Sequence, residues 1–406
     1  MNHATPNSGR TEIEIEYLMP GMVLASDIFD GDNVLLRSGT AVTQEFLNSL
    51  KRRGVEKIVV SDAVAADIKV QQSTMMGGET AARPALDIPE HLETELAANE
   101  RDILSSAGVE TAVEEQLLLE TSECVEDVFS RLNEGNLESL NALKGPVSEM
   151  IKQSVSKPHA AVKLLDVEHF DQYTFRHSVN VGLIFFTVAK SHFPAEELEE
   201  LMLGAILHDV GKVKIPREII QKEGPLTREE FALMKKHPEY GVEMLKDYPG
   251  LSEKALDIVL SHHERWDGRG YPNGLLEDEI TWIAQIAMVC DVYDALTTTR
   301  SYKAKMDFHA AMSIIVQGSG SHFSKKSVRA LCTTLGLYPL GTFVLLSDRT
   351  VAVVKQVNED ALARPIVTVI YNEDGTKLPA PRDLNLAITP DLSIIRPITV
   401  HKLGAH

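Results

Sequence analysis

Two hydrophobic periods alternate along this chain. From Thr11 to Tyr17 the alternation is strict, with Ile13, Ile15 and Tyr17 on one side and Glu12, Glu14 and Glu16 on the other, the period of a half-buried strand. Pro20-Gly21 breaks it, and Val23 to Phe29 and Val34 to Leu36 flank Gly31-Asp32-Asn33, a hairpin signal. Thr43 reads as a helix N-cap, with Phe46, Leu47 and Leu50 as the apolar stripe and Gly54 as the stop; Ile58-Val59-Val60 adds a last short strand. Residues 11–62 therefore predict a small N-terminal mixed α/β domain. Periodicity is lost over 63–95, where Gln71-Gln72-Ser73 and Gly77-Gly78 indicate a linker or variable insertion. Helical spacing returns near Leu92, runs through Leu117-Leu118-Leu119 and is interrupted at Gly145-Pro146, so 96–157 is expected to hold connecting helices. Residues 158–335 carry helical stripes between short polar loops. There Thr227 and Glu230 make a capping box, followed by Phe231, Met234 and Leu245 on one face. After Leu337 the pattern turns to strands at Phe343–Leu346, Val351–Val357 and Pro365–Tyr371, a small C-terminal β appendage over 336–400. The expected fold class is multidomain α+β with a central all-α region.

Composition narrows what such a molecule does. The chain has 406 residues, enough for two or three domains, and 44% are apolar, enough for a sizeable core. With 40 basic and 59 acidic residues the formal net charge is −19, a poor match for a nucleic-acid polymer or an anionic membrane. Three cysteines, Cys124, Cys290 and Cys332, argue against a disulfide framework and for a reducing cytoplasm. No signal peptide is visible at the N-terminus, and the longest apolar stretch, near Val181–Ala189, is well short of a membrane span.

Ten of the 14 histidines fall between His159 and His322, which points to a metal site. Five segments offer imidazole, carboxylate or both: His177, His208-Asp209, His237, His262-His263 and Asp291. Several follow apolar positions at helical spacing: His208 after Leu201 and Ala205, His263 after Leu256 and Leu260, Asp291 after Ile283 and Ala287. Polar groups at core-facing positions are costly without partners. A divalent transition metal, which accepts imidazole and carboxylate together, is such a partner inside a helical bundle. Isolated histidines such as His169, His192 and His309 are read as surface or packing residues.

His208-Asp209 with Gly211-Lys212 resembles the HD phosphohydrolase signature. His262 to Pro272, ending Gly270-Tyr271-Pro272, resembles the mark of the HD-GYP subgroup, as do Asp291 to Thr297 and Arg300-Ser301-Tyr302-Lys303. The resemblance covers roughly residues 160–330 and implies an HD-type helical bundle acting as a cyclic di-GMP phosphodiesterase. Such an enzyme hydrolyses the messenger to linear pGpG, some members continuing to GMP. Carried over, it implies His177, His208, Asp209, His237, His262, His263 and Asp291 as ligands of iron or manganese, with Asp209 bridging. Asp209 and Lys212 become the catalytic pair, and Arg300, Lys303 and Tyr271 the substrate-binding residues. Members with three metals carry a Glu one turn before the first His; here that position is Tyr173, so two ions sharing a bridging hydroxide are expected.

The resemblance further implies contacts with diguanylate cyclase (GGDEF) domains through the Gly270-Tyr271-Pro272 loop. The N-terminal domain has no catalytic constellation and is expected either to regulate the enzyme or to dimerise it, the second alternative making a homodimer. Two other readings stay open: a catalytically weak cyclic di-GMP sensor or GGDEF-docking module, and a phosphohydrolase of another nucleotide. Trp266 is read as a packing residue and Cys290 as a buried small hydrophobe.

Overall fold

The computed structural model describes residues 10–14, 28–30, 33–36, 46, 49–50, 57–61, 88, 90–157, 162, 170–222, 224–298, 306 and 308–398. The chain divides into two compact units, Glu110–Leu335 on one side and Met1–Val109 with Gly336–His406 on the other.

The first unit is helical. It contains α3 (Glu115–Asn133), α4 (Asn141–Ser156), α5 (Phe170–Ala189), α6 (Leu198–Ile206), α7 (Arg217–Ile220), α8 (Arg228–Met234), α9 (His237–Leu245), α10 (Glu253–Ser261), α11 (Trp282–Thr297), α12 (Phe308–Gln317) and α13 (Lys325–Leu335). Helix α5 from His177 to Ala189 and helix α11 from Ile283 to Asp291 are buried all round. A helix apolar on every side belongs at the centre of a bundle, and these two pack on each other. Both carry a polar residue into that centre, His177 and Asp291.

The sequence places 96–157 in connecting helices and begins the helical domain at 158; the structure groups these segments differently. Helix α3 buries Leu118, Val125, Val128, Phe129 and Leu132, and Phe129 meets Phe175 of α5 edge-on with ring centroids 5.8 Å apart. Gly145-Pro146 does not interrupt the pattern: Pro146 lies inside α4. Proline in a helix costs about 3 kcal/mol. Burial of Leu143, Val147 and Met150, at roughly 1.5–3 kcal/mol each, outweighs that cost.

Helices α1 (Glu90–Ala98) and α2 (Glu100–Ser106) belong instead to the second unit, so residues 90–95 of the expected linker are helical. There the Thr368 hydroxyl donates to the Ala107 carbonyl at 3.4 Å, and the Tyr371 hydroxyl donates to Glu95 Oε1 at 2.9 Å. Both partners stand on an antiparallel sheet of order β8-β7-β6-β5-β9. Its strands are β5 (Phe343–Leu346), β6 (Val351–Gln356), β7 (Ile366–Tyr371), β8 (Lys377–Asn385) and β9 (Ile394–Ile398). Val344, Leu346, Ala352, Val354, Val367, Val369 and Leu386 form its core. The apolar central strands are the ones the pattern predicts. The two edge strands go unpredicted because β8 is mostly exposed and holds Pro379 and Pro381, while β9 holds Pro397. Proline is tolerated at an edge, where a missing N–H breaks no ladder.

The N-terminal strands β1 (Arg10–Glu14), β2 (Ile28–Asp30), β3 (Asn33–Leu36) and β4 (Lys57–Ser61) form an antiparallel sheet of order β1-β4-β2-β3, with Ile13 opposite Ile58 and Asp30 opposite Asn33. Of the helix expected from Thr43 to Gly54, positions 46, 49 and 50 are described, and they are helical. Most of 63–95 lies outside the described residues.

Candidate metal centre

The imidazoles and acids come from the ends of short helices and from the middle of the two buried ones. His208 and Asp209 stand just past α6, His237 opens α9, and His262 and His263 follow α10. The sequence reading puts His208 and His263 on helical stripes; the helices stop one or two residues earlier, and that matters chemically. The last turn of a helix leaves carbonyls without intrahelical donors. His208 Nδ1 donates to the Ala205 carbonyl at 2.7 Å, His237 Nδ1 to that of Met234 at 2.8 Å, and His262 Nδ1 to that of Val259 at 2.9 Å. Each ring thus takes a carbonyl three residues back, which puts the proton on Nδ1 and leaves the Nε2 lone pair bare.

His177 is set the same way by a carboxylate. Its Nδ1 donates to Asp294 Oδ2 at 2.6 Å, and Asp294 Oδ1 accepts from Asn180 Nδ2 at 2.9 Å and from the Thr298 hydroxyl at 2.8 Å. Asp294 is fully buried. An outer carboxylate of this kind fixes tautomer and ring orientation in metal-binding histidines. No site role for Asp294 emerges from the sequence, although its i+3 spacing from Asp291 puts both on one face of α11.

The inward-facing ring nitrogens converge on carboxylates. His177 Nε2 lies 3.1 Å from Asp291 Oδ1. Asp209 reaches two sets of rings: Oδ2 is 3.3 Å from His208 Nε2 and 3.8 Å from His177 Nε2, while Oδ1 is 3.3 Å from His237 Nε2 and 3.8 Å from His262 Nε2. His237 Nε2 and His262 Nε2 face each other at 3.2 Å. His208 Nε2 and Asp209 Oδ1 are buried with no hydrogen-bond partner. Lone pairs facing lone pairs in a low dielectric are repulsive and costly unless a cation stands among them. Two groups of ligand atoms are close enough to hold one ion each: Asp209, His237, His262 and His263, and His177, His208 and Asp291. The donor set, imidazole nitrogen with carboxylate oxygen, fits divalent transition metals.

Electrostatics agree with the geometry. Burial disfavours the charged form of Asp209, but Lys212, His208 and His237 hold its carboxyl well below the usual range. Burial and the neighbouring rings hold His262 well below its usual value. Burial also lowers His263 to about 3 despite the Asp291 charge. These rings are therefore neutral, as ligands must be. At His177 burial is outweighed by Asp291 and Asp294, which raise its pKa to about 9.

Lys212 Nζ sits 2.5 Å from Asp209 Oδ2 and is a quarter exposed, a cation at the mouth of the cluster. Gly211, between Asp209 and Lys212, is dictated by packing: a Cβ there would stand 1.9 Å from the His237 carbonyl oxygen. Tyr271 lies over His263, ring centroids 4.7 Å apart and tilted 36°, so it packs on a candidate ligand. Its loop is held by Glu264, whose buried carboxylate accepts the backbone N–H groups of Asn273, Gly274 and Leu275 at 2.7, 3.2 and 3.0 Å. Gly270 closes the loop onto its start: a Cβ there would be 2.3 Å from the Arg265 nitrogen. Glu264 is a second residue whose role the sequence does not disclose. Arg300 and Lys303 lie outside the described residues, and Tyr173 is described only as a backbone position of α5. Among the described residues, no helix is long and apolar enough to cross a membrane.

Comparison with known proteins follows this division. Residues 166–326 match the HD domain family, and residues 343–406 match the KOW domain associated with HD domain. The chain is 35% identical over 239 residues to a cyclic di-GMP phosphodiesterase of Pseudomonas aeruginosa, covering 59% of this chain and 57% of that protein. It is 40% identical over 167 residues to a 3′3′-cGAMP-specific phosphodiesterase of Vibrio cholerae, covering 41% of this chain and 32% of that protein. The match thus spans between about a third and just over half of these relatives' lengths. Among solved structures, an HDG"Y"P protein from Bdellovibrio bacteriovorus aligns with a TM-score of 0.45 at 21% identity, over 79% of this chain and 98% of that one.

Proposed function

We propose that this chain, whose residues 166–326 are an HD domain, is a metal-dependent phosphodiesterase that opens cyclic di-GMP to linear pGpG. The observation that carries the reading is the pair of buried, unpartnered atoms His208 Nε2 and Asp209 Oδ1 within two groups of convergent ligands. The names of the Pseudomonas and Vibrio relatives supply the substrate class, and the Vibrio relative supports 3′3′-cGAMP as a second substrate.

Asp209 would bridge the two ions, a role supported by its two oxygens addressing different rings. His237, His262 and His263 would hold one ion with it, and His177, His208 and Asp291 the other. Tyr173 in place of an acid keeps the number at two, and iron or manganese suits the mixed nitrogen and oxygen donors. When bound, the ions supply Lewis acidity toward a phosphodiester and lower the pKa of water towards about 7. The chain's own residues do the rest. Lys212, at the mouth, contacts the scissile phosphate or delivers a proton to the departing 3′ oxygen. Arg300 and Lys303 hold phosphate oxygens, Arg by a two-pronged contact and Lys as a point charge. Asp294 and the carbonyls of Ala205, Met234 and Val259 keep each ring in the tautomer that presents Nε2 inward.

The test is protein purified without oxygen, loaded with iron(II) or manganese(II), and incubated with cyclic di-GMP and 3′3′-cGAMP while products are separated. Linear pGpG is the expected product. Intact cyclic di-GMP, under conditions where an established phosphodiesterase cleaves it, overturns the reading.

A further inference from the structure

Helix α8 buries none of its residues. The sequence pattern sets Phe231, Met234 and Leu245 on one apolar face, but α8 ends at Met234 and α9 starts afresh at His237, so no such face exists. Phe231 is instead 47% exposed. Its helix does not depend on it. The capping box, with the Thr227 N–H donating to Glu230 Oε2 at 2.7 Å and the Glu230 N–H to the Thr227 hydroxyl at 3.2 Å, starts the helix, and Lys222 Nζ donates to Glu230 Oε2 at 2.6 Å.

What Phe231 does touch leads to the metal centre. Its ring meets Tyr271 at 6.4 Å and 81°, and Tyr271 lies over His263 at 4.7 Å. Lys235 Nζ stands 5.2 Å from the Phe231 ring centre and 5.8 Å from that of Tyr271. An aromatic path therefore runs from the candidate ligands to the partly exposed Phe231 ring, with Lys235 Nζ over that ring. A partly exposed aromatic ring paired with a cation is the chemistry that binds a nucleobase: stacking accepts the flat ring, and an ammonium suits the O6 and N7 acceptors of guanine.

We propose that Phe231 and Lys235 form a nucleobase subsite next to the metal centre, Phe231 stacking on a purine and Lys235 selecting guanine by its acceptor edge. This deepens the phosphodiesterase reading and rests on it for the identity of the ligand. Stacking on such a residue is worth on the order of 5- to 100-fold in affinity.

The test is calorimetric titration of the full-length, metal-loaded protein with GMP, AMP and ribose 5-phosphate, which differ in the base alone. The wild type binds GMP at least roughly 5-fold more tightly than ribose 5-phosphate. Phe231→Ala loses that margin, and Phe231→Trp, which keeps an aromatic face, retains it. Lys235→Ala keeps the margin over ribose 5-phosphate but loses the preference for GMP over AMP. Equal binding of GMP and ribose 5-phosphate by the wild type, or a margin that survives Phe231→Ala, overturns the subsite. An unaltered GMP preference in Lys235→Ala overturns the role of Lys235. Turnover of cyclic di-GMP by the same wild-type preparation is read separately. Base-dependent binding through Phe231 without cleavage keeps the subsite and removes the phosphodiesterase reading, while cleavage with base-independent binding does the reverse.

Discussion

The helical unit and the C-terminal sheet unit both bury charge, and they treat it in opposite ways. Arg364, in the sheet unit, is 8% exposed, and its guanidinium donates to the carbonyls of Leu386, Thr389 and Leu392 at 2.7, 2.8 and 2.7 Å. It ties the turn after β8 to the approach to β9. In the helical unit His208 Nε2 and Asp209 Oδ1 are buried as deeply and meet other acceptors instead of donors. A buried polar group that finds partners is architecture. One held against its own repulsion by surrounding structure is a donor set shaped for a cation.

The sharpest way to break this contrast is to remove one group from each unit. Asp209→Ala is expected to abolish phosphodiesterase turnover, a loss of more than about 1000-fold, because it removes the residue shared by both sets of rings. Its thermal midpoint without metal should change little, since the lost Lys212 contact at Oδ2 is offset by removal of the unpartnered Oδ1. Arg364→Ala should do the opposite. Three carbonyls lose their donor, and the sheet unit should lose roughly 3–5 kcal/mol in denaturant unfolding while metal content per helical unit is unchanged. If Asp209→Ala unfolds the helical unit, or Arg364→Ala is silent, the distinction fails.

A smaller effect separates ligands from the groups that aim them. Asp294→Asn keeps shape but turns an N–H toward either His177 or the Asn180 and Thr298 donors. Metal affinity, measured by competition with a chelator, should fall about 10- to 100-fold. Unchanged affinity would make Asp294 a packing residue.

The metal-free protein offers a pH test of the same contrast. The pKa of His177 is raised to about 9 from an ordinary 6.5, so its contribution to stability is complete below about pH 6.5 and is lost as pH rises through about 9. The unfolding free energy of the metal-free helical unit should drop by a few kcal/mol across that window. With metal bound the proton is already displaced, and the drop should vanish. A drop that persists with metal would show that His177 is not a ligand.

The smallest expected change is in the loop. Glu264→Gln weakens acceptance of the Asn273, Gly274 and Leu275 N–H groups. It should cost about 1–3 kcal/mol and increase protease cleavage within 264–277, with ligand geometry intact. No change in cleavage would mean that the glycines alone shape the loop.

The same contrast bears on what a linear sequence carries. The convergence of His177, His208, Asp209, His237, His262, His263 and Asp291 is legible because imidazole and carboxylate, the types a transition metal accepts, are conspicuous at core-facing positions. Asp294 and Glu264 are not legible in the same way. Each works through a hydrogen bond to a partner whose proximity depends on the folded backbone, a distant ring for Asp294 and a turn for Glu264. The three carbonyl acceptors are invisible in principle, since every residue has a carbonyl and only the exact end of a helix frees it. In the fold, the apolar strands β5, β6 and β7 are plain and the edges β8 and β9 are hidden, because a half-solvated edge needs no alternation. The seating of α1 and α2 beside the sheet depends on Glu95 and Ala107 meeting Tyr371 and Thr368 across more than 200 residues, beyond any local signal.

The central claim is that the buried lone pairs exist to hold two cations, and metal stoichiometry tests it most directly. Protein purified and reconstituted without oxygen, then dialysed to equilibrium against iron(II) or manganese(II), should contain two ions per chain by elemental analysis, and Asp209→Ala should retain fewer than one. A wild-type protein that binds no metal, or an Asp209→Ala variant that binds as much as the wild type, would contradict the account.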